Sequence, residues 1–386
     1  KYGYDGPVYC SEPTLSLMVL LQQDYISVLN REGYRPPYDQ RDIRSEILHA
    51  IPLRYGAVTD IAPDVRLTLH NAGHIIGSAI VHLHIGDGLH NIVYTGDFKF
   101  AKTTLLDPAV STFPRAETLI MEATYGGQED VMPPRKEVEE KVAHLINETI
   151  KEGGKVLLPV LAVGRAQELL VIINEYMRRG EIAECPVYID GMISEVNAIH
   201  TAYPEYLQRE IRDLILHQDL NPFQSEFFEQ VTHPSKRPEI AEGGPCIIMA
   251  TSGMLEGGPA VEYLRYLAHD PRNRLMFSCF QIAGTRGRSI LNSIKLGRVP
   301  EVELIGENGR VELVQVKMKV DMIDGLSGHS DRKQLINYIK RMSPKPSRII
   351  ICHGEKGKCL GLASSIQHMF RAPVWVPDVT EAIKLA

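Results

Sequence analysis

From residue 135 onward, short unbroken apolar runs alternate with stretches whose apolar residues recur at helical spacing. Val156-Leu157-Leu158 and Cys246-Ile247-Ile248-Met249 are such runs. A strand apolar on both sides must be covered on both sides, as parallel strands under crossover helices are. Leu169, Ile172, Ile173 and Tyr176 mark the apolar stripe of one intervening helix. The rhythm predicts helix 135–152, strand 155–160, helix 165–179, strand 186–190 and helices between about 192 and 217. Strand 246–251, helix 258–269 and strand 274–279 follow, and the tail reads as helix 331–342, strand 348–352, helix 357–369 and strand 374–376. This is an α/β chain.

Upstream, Val65 to His70 alternates apolar and polar residues, as do Ala79 to Ile85 and Asn91 to Thr95 around Gly86-Asp87-Gly88, a hairpin signal. A second hairpin is expected around Asn308-Gly309. Gly126-Gly127 and Pro133-Pro134 punctuate a domain boundary. With 386 residues the chain has material for two or three domains. The net charge of -6 gives no global basic field, so nucleic-acid binding would need a local patch. The sequence has no apolar run of about 18 residues, so no membrane-spanning helix is expected. Six scattered cysteines without a C-x-x-C pair fit a reducing cytoplasm better than a disulfide framework.

Residues with acid–base or metal-binding potential fall at strand ends. His74 lies in the Gly-flanked turn Gly73-His74-Ile75-Ile76-Gly77-Ser78, and Asp97 follows the hairpin in Thr95-Gly96-Asp97-Phe98. Glu122 ends the run Leu119-Ile120-Met121. His329 sits in Gly328-His329-Ser330-Asp331, with Ser330 or Asp331 as helix cap, and His353 in Cys352-His353-Gly354-Glu355. Carboxyl ends of strands are where an α/β fold assembles a site, and imidazole with carboxylate is a zinc donor set. Singly, each residue also has a plain reading: a hydrogen-bonded histidine, an Asx turn at Asp97, a helix cap at Glu122. Val81-His82-Leu83-His84-Ile85 puts both imidazoles on one side of a strand, and with no D-H partner following them they read as a solvated face. Histidines 49, 90, 144, 200, 217, 233, 269 and 368 carry no functional reading.

Taken in order, Gly73-His74-x-x-Gly77-Ser78, Thr95-Gly96-Asp97-Phe98 and Met121-Glu122-Ala123-Thr124-Tyr125-Gly126 resemble the later part of a metallo-β-lactamase domain. Ser327-Gly328-His329-Ser330-Asp331 and Cys352-His353-Gly354-Glu355 resemble the late histidine motifs of its β-CASP branch. That branch includes the cleavage and polyadenylation specificity factor nucleases, RNase J and the Artemis DNA nucleases. Pro159 to Leu169 and Ala250-Thr251-Ser252-Gly253-Met254 are similar to the RNA-processing members, above all to archaeal cleavage and polyadenylation specificity factor homologues.

The resemblance implies a metallo-β-lactamase αββα sandwich, N-terminally incomplete, with an inserted doubly wound β-CASP domain. Residues 1–126 would form the first part of the lactamase domain, 127–326 the β-CASP domain and 327–386 the last part. It implies a cytoplasmic, zinc-dependent ribonuclease acting on single-stranded RNA, endonucleolytic with 5′→3′ exonuclease activity as a second mode, in RNA 3′-end processing or turnover. His74, Asp97 and His353 would ligate two Zn²⁺ ions, with Asp97 bridging. His329 would act on the leaving oxygen or the phosphate, and Glu122 would orient it. Arg165, Ser252, Thr285, Arg286 and Arg288 would hold RNA phosphates, the alternative for the two later arginines being surface ion pairs. Val374-Trp375-Val376 reads as an edge strand or as a homodimer contact.

One departure matters: the family's H-x-H-x-D-H string is absent from these residues. The opening Tyr2 to Cys10 resembles the stretch just downstream of that motif, so the chain is expected to begin inside the lactamase domain and, alone, to bind zinc weakly and cleave poorly. A non-catalytic RNA-binding paralogue is the alternative. A small-molecule hydrolase is disfavoured by the long insert and His329.

Overall fold

The computed structural model describes residues 3–31, 33–305 and 311–385. The chain divides into two compact units, Lys1–Val131 with Glu205–Gln208 and Gly328–Ala386, and Met132–Pro204 with Arg209–Ser327.

The first unit is built on a sheet of seven described strands, in the order Val374–Trp375, Arg348–Cys352, Thr118–Glu122, His90–Tyr94, Ala79–Ile85, Val65–Asn71, Val58–Ala62. The first four are mutually parallel and the rest antiparallel. Two sign changes make Val65–Asn71 run the same way as His90–Tyr94, so five carboxyl ends share one edge of the sheet. One side is sealed by helices Arg332–Arg341 and Lys356–Phe370. Leu335, Tyr338, Leu362 and Ile366 meet Ile80, Val93, Leu119 and Ile351 in a closed core. Asp331 caps the first of these helices, accepting from the Gln334 amide at 2.8 Å.

The solvated face expected for His82 and His84 is not found. His82 is paired in register with Val93, and both side chains are fully buried. His84 is half-buried, while the aliphatic Val81 and Leu83 on the opposite side are only half-covered. Alternation reports the period of a strand but not which face receives the helices. Ahead of this sheet, strand Val8–Ser11 pairs in parallel with Ala50–Leu53, joined through helices Glu12–Arg31 and Gln40–His49. No element is expected from sequence there.

The second unit is a sheet of six described parallel strands: Phe228–Gln230, Val187–Asp190, Ile247–Ala250, Val156–Pro159, Arg274–Phe277, Lys319–Met322. Alternate residues of one strand enter different cores. Val156 and Leu158 meet helices Arg135–Lys151 and Arg165–Arg178, whereas Leu157 meets helix Pro259–Leu267 on the other face. Both faces are covered, as the unbroken apolar runs predict. Each fully buried aliphatic contributes about 1.5–3 kcal/mol. Strands Glu301–Ile305 and Val311–Gln315 pair antiparallel; the turn at Asn308-Gly309 lies outside the described residues. No helix among the described residues is long and apolar enough to cross a membrane, and all six cysteines are unpaired.

Candidate functional site

Five residues singled out from sequence, His74, Asp97, Glu122, His329 and His353, meet at the shared carboxyl edge of the seven-stranded sheet. His74 comes from the turn after Val65–Asn71. Ser78 Oγ accepts from the His74 and Ile75 amides at 3.0 and 3.2 Å, and Ser11 Oγ donates to the Gly77 carbonyl at 2.7 Å. Gly73 takes φ +70°, and a Cβ there would lie 2.8 Å from the Asp107 carbonyl, so the turn requires glycine. Asp97 leaves the end of His90–Tyr94, and His353 follows Arg348–Cys352 directly, at φ 47°. A left-handed histidine costs on the order of 1 kcal/mol, which its surroundings offset.

Among the described residues, His74, Asp97 and His329 each offer a ligand atom within 4.8 Å of the others. His353 Nε2 lies 3.2 Å from Asp97 Oδ1, and its ring stacks 6.4 Å from that of His329. Asp97 therefore stands among three imidazoles. His329 joins this cluster closely, its ring centroid 4.5 Å from that of His74.

Glu122 is almost wholly buried yet ionised. Burial alone would raise its pKa, but His329, Thr124 and the Phe98 amide hold it below the ordinary carboxylate value. His329 Nδ1 donates to both Glu122 oxygens, at 2.9 and 3.0 Å, and the Phe98 amide donates at 2.9 Å. Thr124 Oγ1 donates to the same carboxylate. Burial would lower the His329 pKa, but Glu122 carries it above the ordinary value. The two shifts agree on an ion pair that leaves Nε2 as the working nitrogen of His329. His74 is held neutral instead, its pKa lowered by burial and then by His329 beside it.

The residues present fit part of a zinc site. His74 Nδ1 is buried without a hydrogen bond, with Gly328 against it, and imidazole with carboxylate is zinc's usual donor set. Sequence reasoning missed the groups that fix these ligands. Thr124 and the Phe98 amide fasten Glu122, and Lys99 Nζ donates to the His329 carbonyl at 2.8 Å. Ser330 Oγ accepts from the Phe100 amide at 2.8 Å and donates to the Phe98 carbonyl at 3.0 Å. Their adjacency to the motif residues was the available signal.

The other five candidates lie in the second unit, near carboxyl ends of its parallel strands. Arg165 begins its helix, is buried and pairs with Glu168 at 2.7 Å. Ser252 Oγ accepts from the Glu256 amide at 3.1 Å. Thr285 caps helix Arg286–Lys295, accepting from the Arg288 amide at 3.3 Å. Arg286 pairs with Glu256 at 3.6 Å and donates to the Leu255 and Glu303 carbonyls, each at 3.1 Å. Arg288 lies 6.0 Å over the half-exposed Phe280 ring. The loops carrying Ser252, Thr285, Arg286 and Arg288 converge: Gly287 donates to the Met254 carbonyl at 3.3 Å, and Gln281, not anticipated from sequence, donates to the Gly253 carbonyl at 3.0 Å. This crevice follows the general rule for ligand sites on open parallel sheets.

Comparison with known proteins gives two family matches. A Beta-Casp domain matches residues 166–290, and a Zn-dependent metallo-hydrolase RNA specificity domain matches residues 313–377. Similarity along the whole of this chain is found to proteins named transcription termination factor FttA. The Thermococcus kodakarensis relative is 52% identical over 383 residues, 99% of this chain and 58% of that protein. The Methanocaldococcus jannaschii relative is 50% identical over 386 residues, 100% of this chain and 60% of its own length. A Lokiarchaeum relative is 50% identical over 385 residues, again 60% of its length. The chain thus spans about three fifths of the relatives it matches. Two ordered domain matches and half-identity along the whole chain place it in one family: it belongs to the β-CASP branch of the metallo-β-lactamase fold, with a β-CASP insertion in a lactamase-type domain.

Proposed function

We propose that the chain is part of a zinc-dependent ribonuclease that hydrolyses phosphodiester bonds in single-stranded RNA, in 3′-end formation or turnover. The observation that carries this reading is Asp97 standing among His74, His329 and His353, with Glu122 ionised behind His329. His74, Asp97 and His353 would hold the metal. Zinc bound there supplies Lewis acidity and neutralises phosphate charge. His329, made cationic by Glu122, would contact the phosphate through Nε2 or give its proton to the leaving oxygen. The domain assignment at 1–126, 127–326 and 327–386 belongs to the same reading, with the middle domain holding the strand.

RNA as substrate is supported by the RNA specificity domain match at 313–377. Glycines, hydroxyls and guanidiniums around Ser252, Thr285, Arg286 and Arg288 suit phosphate contact, and Phe280 beneath Arg288 suits base stacking. Arg165, already paired with Glu168, would shape this crevice from behind. Endonucleolytic cutting is the primary mode proposed, with 5′→3′ degradation second. A cytoplasmic setting agrees with the unpaired cysteines. A homodimer through Val374-Trp375 belongs to the same proposal.

These 386 residues carry no H-x-H-x-D-H string, and three first-choice ligands are few for two ions. By themselves they should bind zinc weakly and cleave poorly. The test compares labelled single-stranded RNA with the intact gene product, its Asp97→Asn variant and this chain. Zinc-dependent cleavage by the intact protein alone is expected. Cleavage that survives Asp97→Asn overturns the site. An intact protein that binds RNA without cutting it makes the family member a scaffold.

A further inference from the structure

We propose that Tyr125 and Lys358 form the subsite for the nucleotide next to the scissile phosphate, with Tyr125 stacking on its base and Lys358 contacting its phosphate. The subsite rests on the ribonuclease reading above and serves the same cluster. The Tyr125 ring centroid lies 6.2 Å from that of His329, with the two planes tilted by 54°. Lys358 Nζ lies 5.7 Å from the Tyr125 centroid. Imidazole, phenol ring and ammonium are thus neighbours in steps of about 6 Å, beginning at the imidazole grouped with Asp97. A single strand offers the matching order of phosphate, base and further phosphate.

Backbone contacts clamp Tyr125 in that position. The Ala123 amide donates to the His353 carbonyl at 3.1 Å, and the Gly126 amide to the Ala123 carbonyl at 3.0 Å. The Arg332 guanidinium donates to the Gly126 carbonyl. A Cβ on Gly126 would lie 3.1 Å from the Lys358 carbonyl, and one on Gly354 2.6 Å from the Ala123 carbonyl, so the two loops approach through their glycines. Despite this fastening the Tyr125 ring is only half-buried, and among the described residues it belongs to no apolar core. An aromatic held rigidly at the surface beside the imidazole cluster is pre-organised for a planar ligand and loses little freedom when one binds.

Stacking on an aromatic ring tolerates any sequence, since every base has a π face. Lys358 stands in the first turn of helix Lys356–Phe370, a turn without acidic residues. Its ammonium has three donors. Asp130 at 2.9 Å and the Thr124 carbonyl at 3.4 Å take two of them, which leaves one for a phosphate oxygen. Asp130 is itself held by the Gly127 amide at 2.8 Å, so a fixed carboxylate aims the lysine. The same carboxylate offsets part of the Lys358 charge, so stacking on Tyr125 is the larger contribution.

The test pairs Tyr125→Leu with abasic RNA, using the intact gene product and a single-stranded RNA whose cut has been mapped. Abasic nucleotides are placed in turn on each side of the cut. On ordinary RNA, Tyr125→Leu should lower kcat/KM roughly 5- to 100-fold, and Tyr125→Phe, which keeps the ring, should restore it. On RNA abasic at one flanking position the same substitution should cost little further, because the base that Tyr125 meets is gone. A role confined to packing would show the full loss on every RNA. Binding is read separately by fluorescence anisotropy in the Asp97→Asn protein. There Lys358→Met should flatten the fall of log affinity with log salt by about 0.7, and Lys358→Arg should restore the slope. Equal losses on ordinary RNA and on both abasic RNAs, or no loss at all, overturn the subsite. An unchanged salt slope overturns the part assigned to Lys358. A parent protein that cuts no RNA overturns the ribonuclease reading itself and takes the subsite with it.

Discussion

The two sheets solve burial differently. The six-stranded parallel sheet has helices on both sides, so Leu157 and Leu158, adjacent in sequence, enter separate cores. Among the described residues, helices cover one side of the seven-stranded sheet. On the other, Val81, Leu83, Ile92 and Ile120 are half-covered and Tyr94 is exposed. Its covered side holds the buried His82, while the buried polar residues of the parallel sheet, Asp190 and Arg274, stand at strand ends. Strands covered on both sides are apolar on both, whereas in the seven-stranded sheet the described residues alternate between a buried side and a half-covered one.

The sharpest way to probe that contrast is at the carboxyl edge of the seven-stranded sheet. Asp97→Asn in the intact protein should reduce zinc-dependent RNA cleavage by more than the ~100-fold that loss of an outer partner costs. Single-turnover assays read it directly. Next, Leu157→Ala should cost about 2–5 kcal/mol, measured by hydrogen exchange of the Val156–Pro159 amides. An equal cost for Leu83→Ala would break the comparison.

His200 tests the sealed unit by pH. It is fully buried in helix Ile193–Ala202, and burial pushes its pKa down to about 4. Below pH 6.5 the unfolded chain takes a proton that the folded chain refuses. Stability is therefore complete above pH 6.5 and falls towards pH 4, by on the order of 3 kcal/mol. His200→Leu should flatten that slope in acid melting curves relative to the parent chain.

Glu122→Gln keeps the shape but removes the charge behind His329. Turnover should fall roughly 10- to 100-fold with little change in zinc content. Zinc loss comparable to that of Asp97→Asn would make Glu122 a direct ligand. The smallest effect is expected for Leu83→Ala, about 1 kcal/mol, because the residue is half-covered already.

Much of this was legible in the sequence, for identifiable reasons. Parallel strands under two helical layers are apolar on both sides, so Val156-Leu157-Leu158 declared itself. His74, Asp97 and His353 were legible because each stands beside a glycine just past a strand, and His329 because it follows Gly328 in the loop that opens a helix. His82 and His84 were misread because alternation separates two faces without naming the covered one. The helices Glu12–Arg31 and Gln40–His49 went unread. The second opens with an Asp39–Asp42 capping box, a signal that was present and not used.

The Ser330 and Lys99 contacts join loops more than two hundred residues apart, since Lys99 meets the His329 carbonyl 230 positions later. Loop-closure entropy grows slowly, about 0.6 kcal/mol per doubling of length, so the distance itself costs little. Its consequence is one of timing. During synthesis from the amino end, Asp97 and Glu122 emerge long before His329 and His353, and the cluster stays open until residues 329–353 have followed.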